Sequence, residues 1–297
     1  MKKTVLFRGA LLFAAVAFCA VAANAQILWK ISGNGAKDSY ILGSHHVAPM
    51  SVLDGIAGFN DAFASCQQMY GEIDMESATQ DMVMQSQKYM MAPADSTLSK
   101  VLTADQLAIV DAAMQKYVRM SVAQLDKVSP VKPAVISAQI AVLQAAKTFE
   151  DFDPNNVIDA AIQQKAKDAN MPVKGFETAE YQMQLLFGTP ISVQVADLMK
   201  LLTDETAYME YTRMLTDVYS QQDLDTMFEL MNNPELGMSE YECNVMINKR
   251  NEAWIEQLKT ILPEASTFIV VGAGHLPGDK GMLSLLRKAG YTVTPVN

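Results

Sequence analysis

The chain has 297 residues, half of them hydrophobic, with 23 basic against 33 acidic residues and only three histidines. That length can bury a substantial core in one large domain or in one domain with an insertion, and the composition does not suit a disordered chain. The acidic balance repels phosphate backbones and anionic lipid surfaces, so nucleic acid is excluded as an expected partner.

Lys2, Lys3 and Arg8 precede and border an apolar run from Ala10 to Ala22, and Ala23-Asn24-Ala25 has the small residues of a cleavage site. The pattern predicts a secretory signal over residues 1–25, cleaved before Gln26, and a mature chain that is periplasmic or secreted. The run is too short and wrongly flanked for a transmembrane anchor, so no stable membrane insertion is expected after cleavage. A lipoprotein would use Cys19, but Phe18 is a poor fit to the small residue that such processing prefers. Without this segment 272 residues remain, carrying 20 basic and 33 acidic side chains, a net charge of −13. Cys66 and Cys243 could pair in an oxidising compartment, or each could serve as a small buried apolar residue. No Cys-x-x-Cys or adjacent histidine makes them ligands or nucleophiles.

Residues 27–32 and 39–43 read as strands joined at Gly33-Asn34-Gly35. The second strand ends in Gly43-Ser-His45-His46. Val52, Ile56, Phe59 and Phe63 then share one helical face, and residues 68–74 read as a strand ending in Glu72-Ile-Asp74. A strand-helix-strand unit predicts a parallel pair of neighbouring strands, with His46 and Glu72 converging at their carboxyl ends.

Residues 77–262 are mostly helical. Thr103-x-x-Gln106 is a capping box. Asp153-Pro154 offers an N-cap and a first-turn proline, and Pro130, Pro133, Pro190, Pro234 and Pro263 punctuate the rest. The methionines between Met75 and Met91 suit either helix core or a flexible groove. Residues 171–177 interrupt the helices as a short strand that rejoins the sheet. A late helix buries Trp254, Leu258 and Ile261, with Arg250 and Asn251 on or beside that face and therefore in need of partners. These read equally as a structural network or as substrate contacts. Phe268–Val271 forms a buried strand running into Gly272-Ala-Gly-His275-Leu-Pro-Gly278. A helix over 277–289 and a strand over 291–296 finish the chain. The fold class is therefore α/β (α+β): a small mixed sheet built from N- and C-terminal strands, with a large helical insertion in a single domain over 26–297.

All three histidines lie in the two strand-ending Gly-x-x-His motifs, at the sheet edge where such folds bind ligands. Two imidazoles and a carboxylate form a common ligand set for a catalytic divalent metal with an open water position. Here they would be His46, His275 and Glu72, with His45, Asp74 and Glu177 in reserve. No Gly-x-Ser-x-Gly elbow or Walker loop is present, and Gly272 to Gly278 spaces its glycines wrongly for a dinucleotide fingerprint. A glycosidase using Glu72 and Asp74 lacks an evident sugar groove.

The sequence resembles the TraB/GumN family, related to the Tiki metalloproteases. The resemblance rests on residues 41–46, on Glu72-Ile-Asp74, on Gly175-Phe-Glu177-Thr-Ala-Glu-Tyr-Gln182, on Lys249-Arg250-Asn251, and on residues 271–278 followed by Gly290-Tyr-Thr-Val, in the family's order. It implies a metal-dependent hydrolytic centre with His46, Glu72 and His275 as ligands and catalytic groups, while His45 fills a variable position. It makes Glu177, Gln182, Arg250 and Asn251 site-lining. Tyr181 departs from the acid expected before Gln182. The expected cofactor is a divalent ion such as Mn, Co or Zn, and the expected partner is a peptide or another small periplasmic substrate. Glu72 could instead be the general base, with Asp74 as a ligand. The rival expectation is a non-catalytic periplasmic protein that holds a metal or ligand on the same histidines. A degenerate member with structural histidines is a third.

Overall fold

The computed structural model describes residues 26–76, 87–149 and 152–297. The segment expected to be a secretory signal and part of the methionine-containing stretch lie outside the described residues.

Six strands form one mixed sheet: β1 (Leu28–Ser32), β2 (Ser39–Ser44), β3 (Gln68–Gly71), β4 (Val173–Gly175), β5 (Thr267–Gly272) and β6 (Thr292–Pro295). Their spatial order is β4-β3-β5-β2-β1-β6. β2, β5, β3 and β4 run parallel, and β1 runs antiparallel between β2 and β6. The neighbouring pair expected of β2 and β3 is corrected here, because β5 lies between them and pairs with both. β5 is buried on both faces, as its continuous apolar run Phe268–Val271 requires of a central parallel strand. The two ends of the chain thus supply the middle of the sheet.

The apolar face expected of one helix over residues 52–63 is split into a 3₁₀ turn (Met50–Gly55) and α1 (Phe59–Ala64). Gly58 breaks it by adopting φ +68, a left-handed conformation suited to glycine. Asp153 does not cap the next helix, which begins later as α6 (Ile158–Asp168) with Val157 at its N-cap. The final helix is shorter than expected, Met282–Lys288, because residues 276–281 form a loop with Gly278 at φ +86. Pro263 lies inside the long late helix α12 (Lys249–Glu264) rather than ending it.

Between β3 and α12 the helical stretch builds a second apolar core of its own. Its helices are α2 (Leu98–Val101), α3 (Ala104–Tyr117), α4 (Val122–Val128), α5 (Pro133–Thr148) and α8 (Ile191–Thr203), packing Leu98, Met114, Ile136, Ile140 and Leu198 away from solvent. The Thr103–Gln106 capping box forms with both reciprocal bonds. Among the described residues no single helix is long and apolar enough to cross a membrane. The pair α7 (Ala179–Phe187) and α8 passes that test only jointly, across a 76° bend, and the buried residues of α8 belong to the helical core. Cys66 is buried, Cys243 is half-buried, and both are free thiols.

Candidate functional site

The first Gly-x-x-His motif has a steric reason for its glycine. At Gly43 a Cβ would lie 2.9 Å from the Ala273 α-carbon and 2.9 Å from Leu276 Cδ1. β2 and the turn after β5 approach that closely only because the side chain is missing. The first motif therefore packs directly against the second.

Glu72 follows β3, and its loop is held from behind by Gln163 of α6. The Gln163 amide donates to Ile73 O at 2.8 Å and its carbonyl accepts from Met75 N at 3.0 Å. Glu72 Oε1 accepts the Gly272 N–H at 2.8 Å, and Oε2 accepts from Arg250 Nη2 at 2.6 Å and from the Gln182 amide at 3.0 Å. Arg250 is buried. It also grips Glu177 through Nη2 at 2.9 Å and through Nε at 2.9 and 3.2 Å, and it donates from Nη1 to Met246 O at 2.9 Å. Met246 belongs to a π-helical turn, Asn244–Asn248, immediately before α12. Trp254 Nε1 donates to Glu177 Oε1 at 2.9 Å, and the Arg250 guanidinium lies 4.8 Å from the Trp254 ring centroid. A guanidinium between two carboxylates with its donors engaged is the arrangement that makes burial of such charges tolerable.

His275 is buried, with its ring centroid 4.5 Å from that of Trp254. Asn251 Nδ2 donates to two backbone carbonyls, His275 O at 3.1 Å and Lys280 O at 2.8 Å, so Asn251 Oδ1 is the acceptor for His275 Nδ1–H at 2.6 Å. Nε2 then carries the lone pair. It faces Arg250 Nη1 at 3.2 Å and Glu72 Oε1 at 3.7 Å. Burial pushes His275 down to about 3, so it is neutral at pH 7. Burial works to raise the Glu72 carboxyl, but the His275 imidazole, the Arg250 guanidinium and the Gly272 N–H bring it down to about 2. Because His275 is neutral at pH 7, Arg250 supplies the cation that matters there.

The other two histidines stand apart from this cluster. His46 Nδ1 pairs with Asp159 Oδ2 at 3.0 Å, and Ser44 Oγ donates to the other oxygen, Oδ1, at 2.7 Å. That hydrogen bond raises His46 to about 9, with water limiting the effect because the side chain is 66% exposed. His45 Nε2 donates to Thr216 Oγ1 at 3.1 Å, since the Thr216 hydroxyl is itself spent on Thr212 O. Burial lowers His45 to about 4.

All three histidines, Glu72, Gln182 and Arg250 line one cavity of about 720 Å³. Asn251 and Glu177 stand behind its wall as partners of His275 and Arg250. Asp74 is not among the cavity-lining residues, and its Oδ1 accepts the Glu76 N–H at 3.1 Å. Sequence reasoning missed Asp159, Gln163 and the indole of Trp254 as site partners. Asp159 stands in the first turn of a helix, where an acid is ordinary, so no local signal distinguished it.

Among the described residues no three His, Cys, Asp or Glu side chains converge as a ready metal site. Two donors do fit an ion: His275 Nε2, whose Nδ1–H is anchored as metal-ligating imidazoles commonly are, and Glu72 Oε1, 3.7 Å away. Accommodation would require Arg250 Nη1 to release Nε2, and His46, held at Nδ1 by Asp159, to offer its own Nε2 to complete the set.

The fold is thus a mixed α/β sheet whose carboxyl edge carries a buried Glu-Arg-His cluster beside a partly open cavity. The sequence model of the TraB/PrgY/gumN family matches residues 27–295. The chain belongs to that family, over almost the whole of its described length. Neither the curated proteins nor the solved structures that were compared gave a match.

Proposed function

We propose that the mature chain is an exported hydrolase acting on peptide bonds with a divalent metal ion. The observation that carries this reading is that all three histidines, Glu72 and Arg250 line one cavity, with Arg250 bonded to both Glu72 and His275. Glu72 and His275 would hold the ion, with His46 as the third ligand, and the ion would supply Lewis acidity toward a carbonyl and toward water. Glu72, held at about 2, suits the holding of positive charge better than the removal of a proton, because a general base works best near the operating pH. Arg250 keeps Glu72 ionised, and Asn251 keeps His275 Nε2 unprotonated. Gln182 braces the same Glu72 oxygen, Oε2, that Arg250 engages.

A second reading, a non-catalytic periplasmic binding protein, is favoured by one feature: Arg250 already engages both Glu72 and the His275 lone pair. Elemental analysis of residues 26–297 purified without a histidine tag, with titrations of Mn, Co and Zn, separates the two. The hydrolase reading expects near-stoichiometric uptake that is lost in His46→Ala and His275→Ala, and chelator-sensitive cleavage of a peptide library. A folded protein that takes up no metal and cleaves nothing overturns it. Glu72→Gln then assigns the role of that residue, since lost metal marks a ligand and retained metal without turnover marks a base.

A further inference from the structure

Beyond the polar cluster, the cavity is walled mostly by flexible apolar side chains, with Asp197, Lys200 and Glu242 also on its lining. Met227, Met231, Met238 and Met246 face it, together with Leu201 and Leu215. Methionine is unbranched and polarisable and adapts to occupants of different shape. A mostly apolar pocket with a few convergent polar groups is the usual form of a binding site. A second cavity, of about 920 Å³, lies alongside and shares Met231, Met238, Ile247 and Gly274 with the first. Its own walls are more polar, including Ser239, Asn244 and Asn248. Met231 lies against the bare α-carbon of Gly274, where a Cβ would come within 2.5 Å of its terminal methyl. One boundary between the two cavities is therefore a movable methionine side chain beside a glycine.

We infer that the substrate is an extended peptide that places a large, flexible apolar side chain in the methionine-walled cavity and continues past Gly274 into the polar one. The inference rests on the hydrolase reading for what happens at the Glu72–His275 wall. The mode of recognition stands on the cavities alone. An isolated acyl chain would use the first cavity and leave the second empty, whereas a polypeptide with polar backbone on both sides of an apolar side chain uses both. A charged side chain seated among the methionines and leucines would lose hydration, and reaching Asp197, Lys200 or Glu242 elsewhere on the lining would forfeit the apolar contacts.

The test uses residues 26–297 and N-acetylated, C-amidated hexapeptides Ala-Ala-X-Ala-Ala-Ala, with X as Ala, Leu, Met, Phe, Asp or Lys. Binding is followed by calorimetry and cleavage by mass spectrometry, with p-nitrophenyl esters from butyrate to decanoate as the acyl comparison. Leu, Met and Phe are expected to bind roughly tenfold or more tightly than Ala, and Asp and Lys more weakly. Met231→Glu should reverse the order between Leu and Lys. Leu186→Glu, at a cavity-lining position that is 45% exposed and so tolerant of charge, should weaken the Leu peptide severalfold. Equal binding for every X, no binding of any peptide, or preference for the acyl esters overturns the inference. Graded binding without cleavage removes the hydrolase reading and leaves the recognition intact. Cleavage without preference at X does the reverse.

Discussion

Arg250 is the residue on which the cluster's charge balance depends. It is the cation between Glu72 and Glu177, and both carboxylates lie mostly out of water. Arg250→Ala leaves two buried acids facing each other, and a loss of about 3–5 kcal/mol is expected from urea unfolding. Arg250→Lys should recover only part of it, because an ammonium cannot reproduce the planar fork. Asp159 acts differently. Its carboxylate, oriented by Ser44, holds the Nδ1 proton of His46, which leaves Nε2 as the nitrogen to be deprotonated and offered to a ligand. On the hydrolase reading, Asp159→Asn is therefore expected to lower kcat by at least tenfold with little change in KM, since a neutral amide no longer favours the Nδ1–H tautomer. Nitrogen-15 NMR of the His46 ring above its pKa checks this directly. A purely structural role for Asp159 would lower the melting temperature and leave the tautomer signature unchanged.

At the scale of elements, the site is a meeting of strand ends and of the loops that follow them. β2, β3 and β5 are parallel, so their carboxyl ends bring His46, Glu72 and His275 to the same edge. The glycines set how closely those ends approach. Gly43→Ala is expected to push β2 from the turn at Ala273 and to reduce both stability and substrate binding. At Gly175 a Cβ would lie 2.6 Å from Asp74 N and 2.8 Å from the Ile73 α-carbon, so Gly175→Ala should displace the Glu72 loop. Calorimetric melting together with metal or peptide binding reads both variants. Gln163→Ala is a milder probe of the same loop, because it removes two hydrogen bonds without adding bulk, and a loss of roughly 1–3 kcal/mol is expected. The strands and the late Arg250–Trp254 helix were legible in advance. The strand residues are β-branched and apolar between turn signals, and a buried Arg beside a helical apolar stripe announces partners elsewhere. The partners themselves were not legible, because Asp159, Gln163 and Glu177 come from positions about 70 to 115 residues away in the chain.

Across the whole molecule, buried His275 and half-buried His45 make acid stability a test of the packing. In the folded chain His275 is lowered to about 3 and His45 to about 4, each by burial, from an ordinary value of 6.5. The unfolded chain therefore binds more protons as pH falls from about 6.5 toward 3 and 4. Stability is full above that window and declines through it, by about 1.4 kcal/mol per pH unit for each proton fully taken up. Glu72, lowered from 4.5 to about 2, adds stability above pH 4.5 that is lost as pH falls through about 2. His46 has the opposite sign: its pairing with Asp159 stabilises below about 6.5 and fades as pH rises through about 9, weakly because the ring is exposed. Melting temperature against pH should thus fall between pH 6.5 and 4, and His275→Gln should flatten that slope.

The sequence by itself determined the strands, the mixed α/β class, the two glycine-bounded histidine motifs at one sheet edge and the family. These are written in runs of a few residues, where side-chain periodicity and backbone freedom act locally. Only the tertiary structure decided that β5 enters between β2 and β3, because strand order depends on which apolar runs can be covered on both faces. It also decided that Arg250 engages Glu72, Glu177 and His275 while Asp159 takes His46, since those pairings form between distant segments. The methionine-walled cavity has the same origin. Its lining comes from separate helices, and no stretch of sequence contains the space between them.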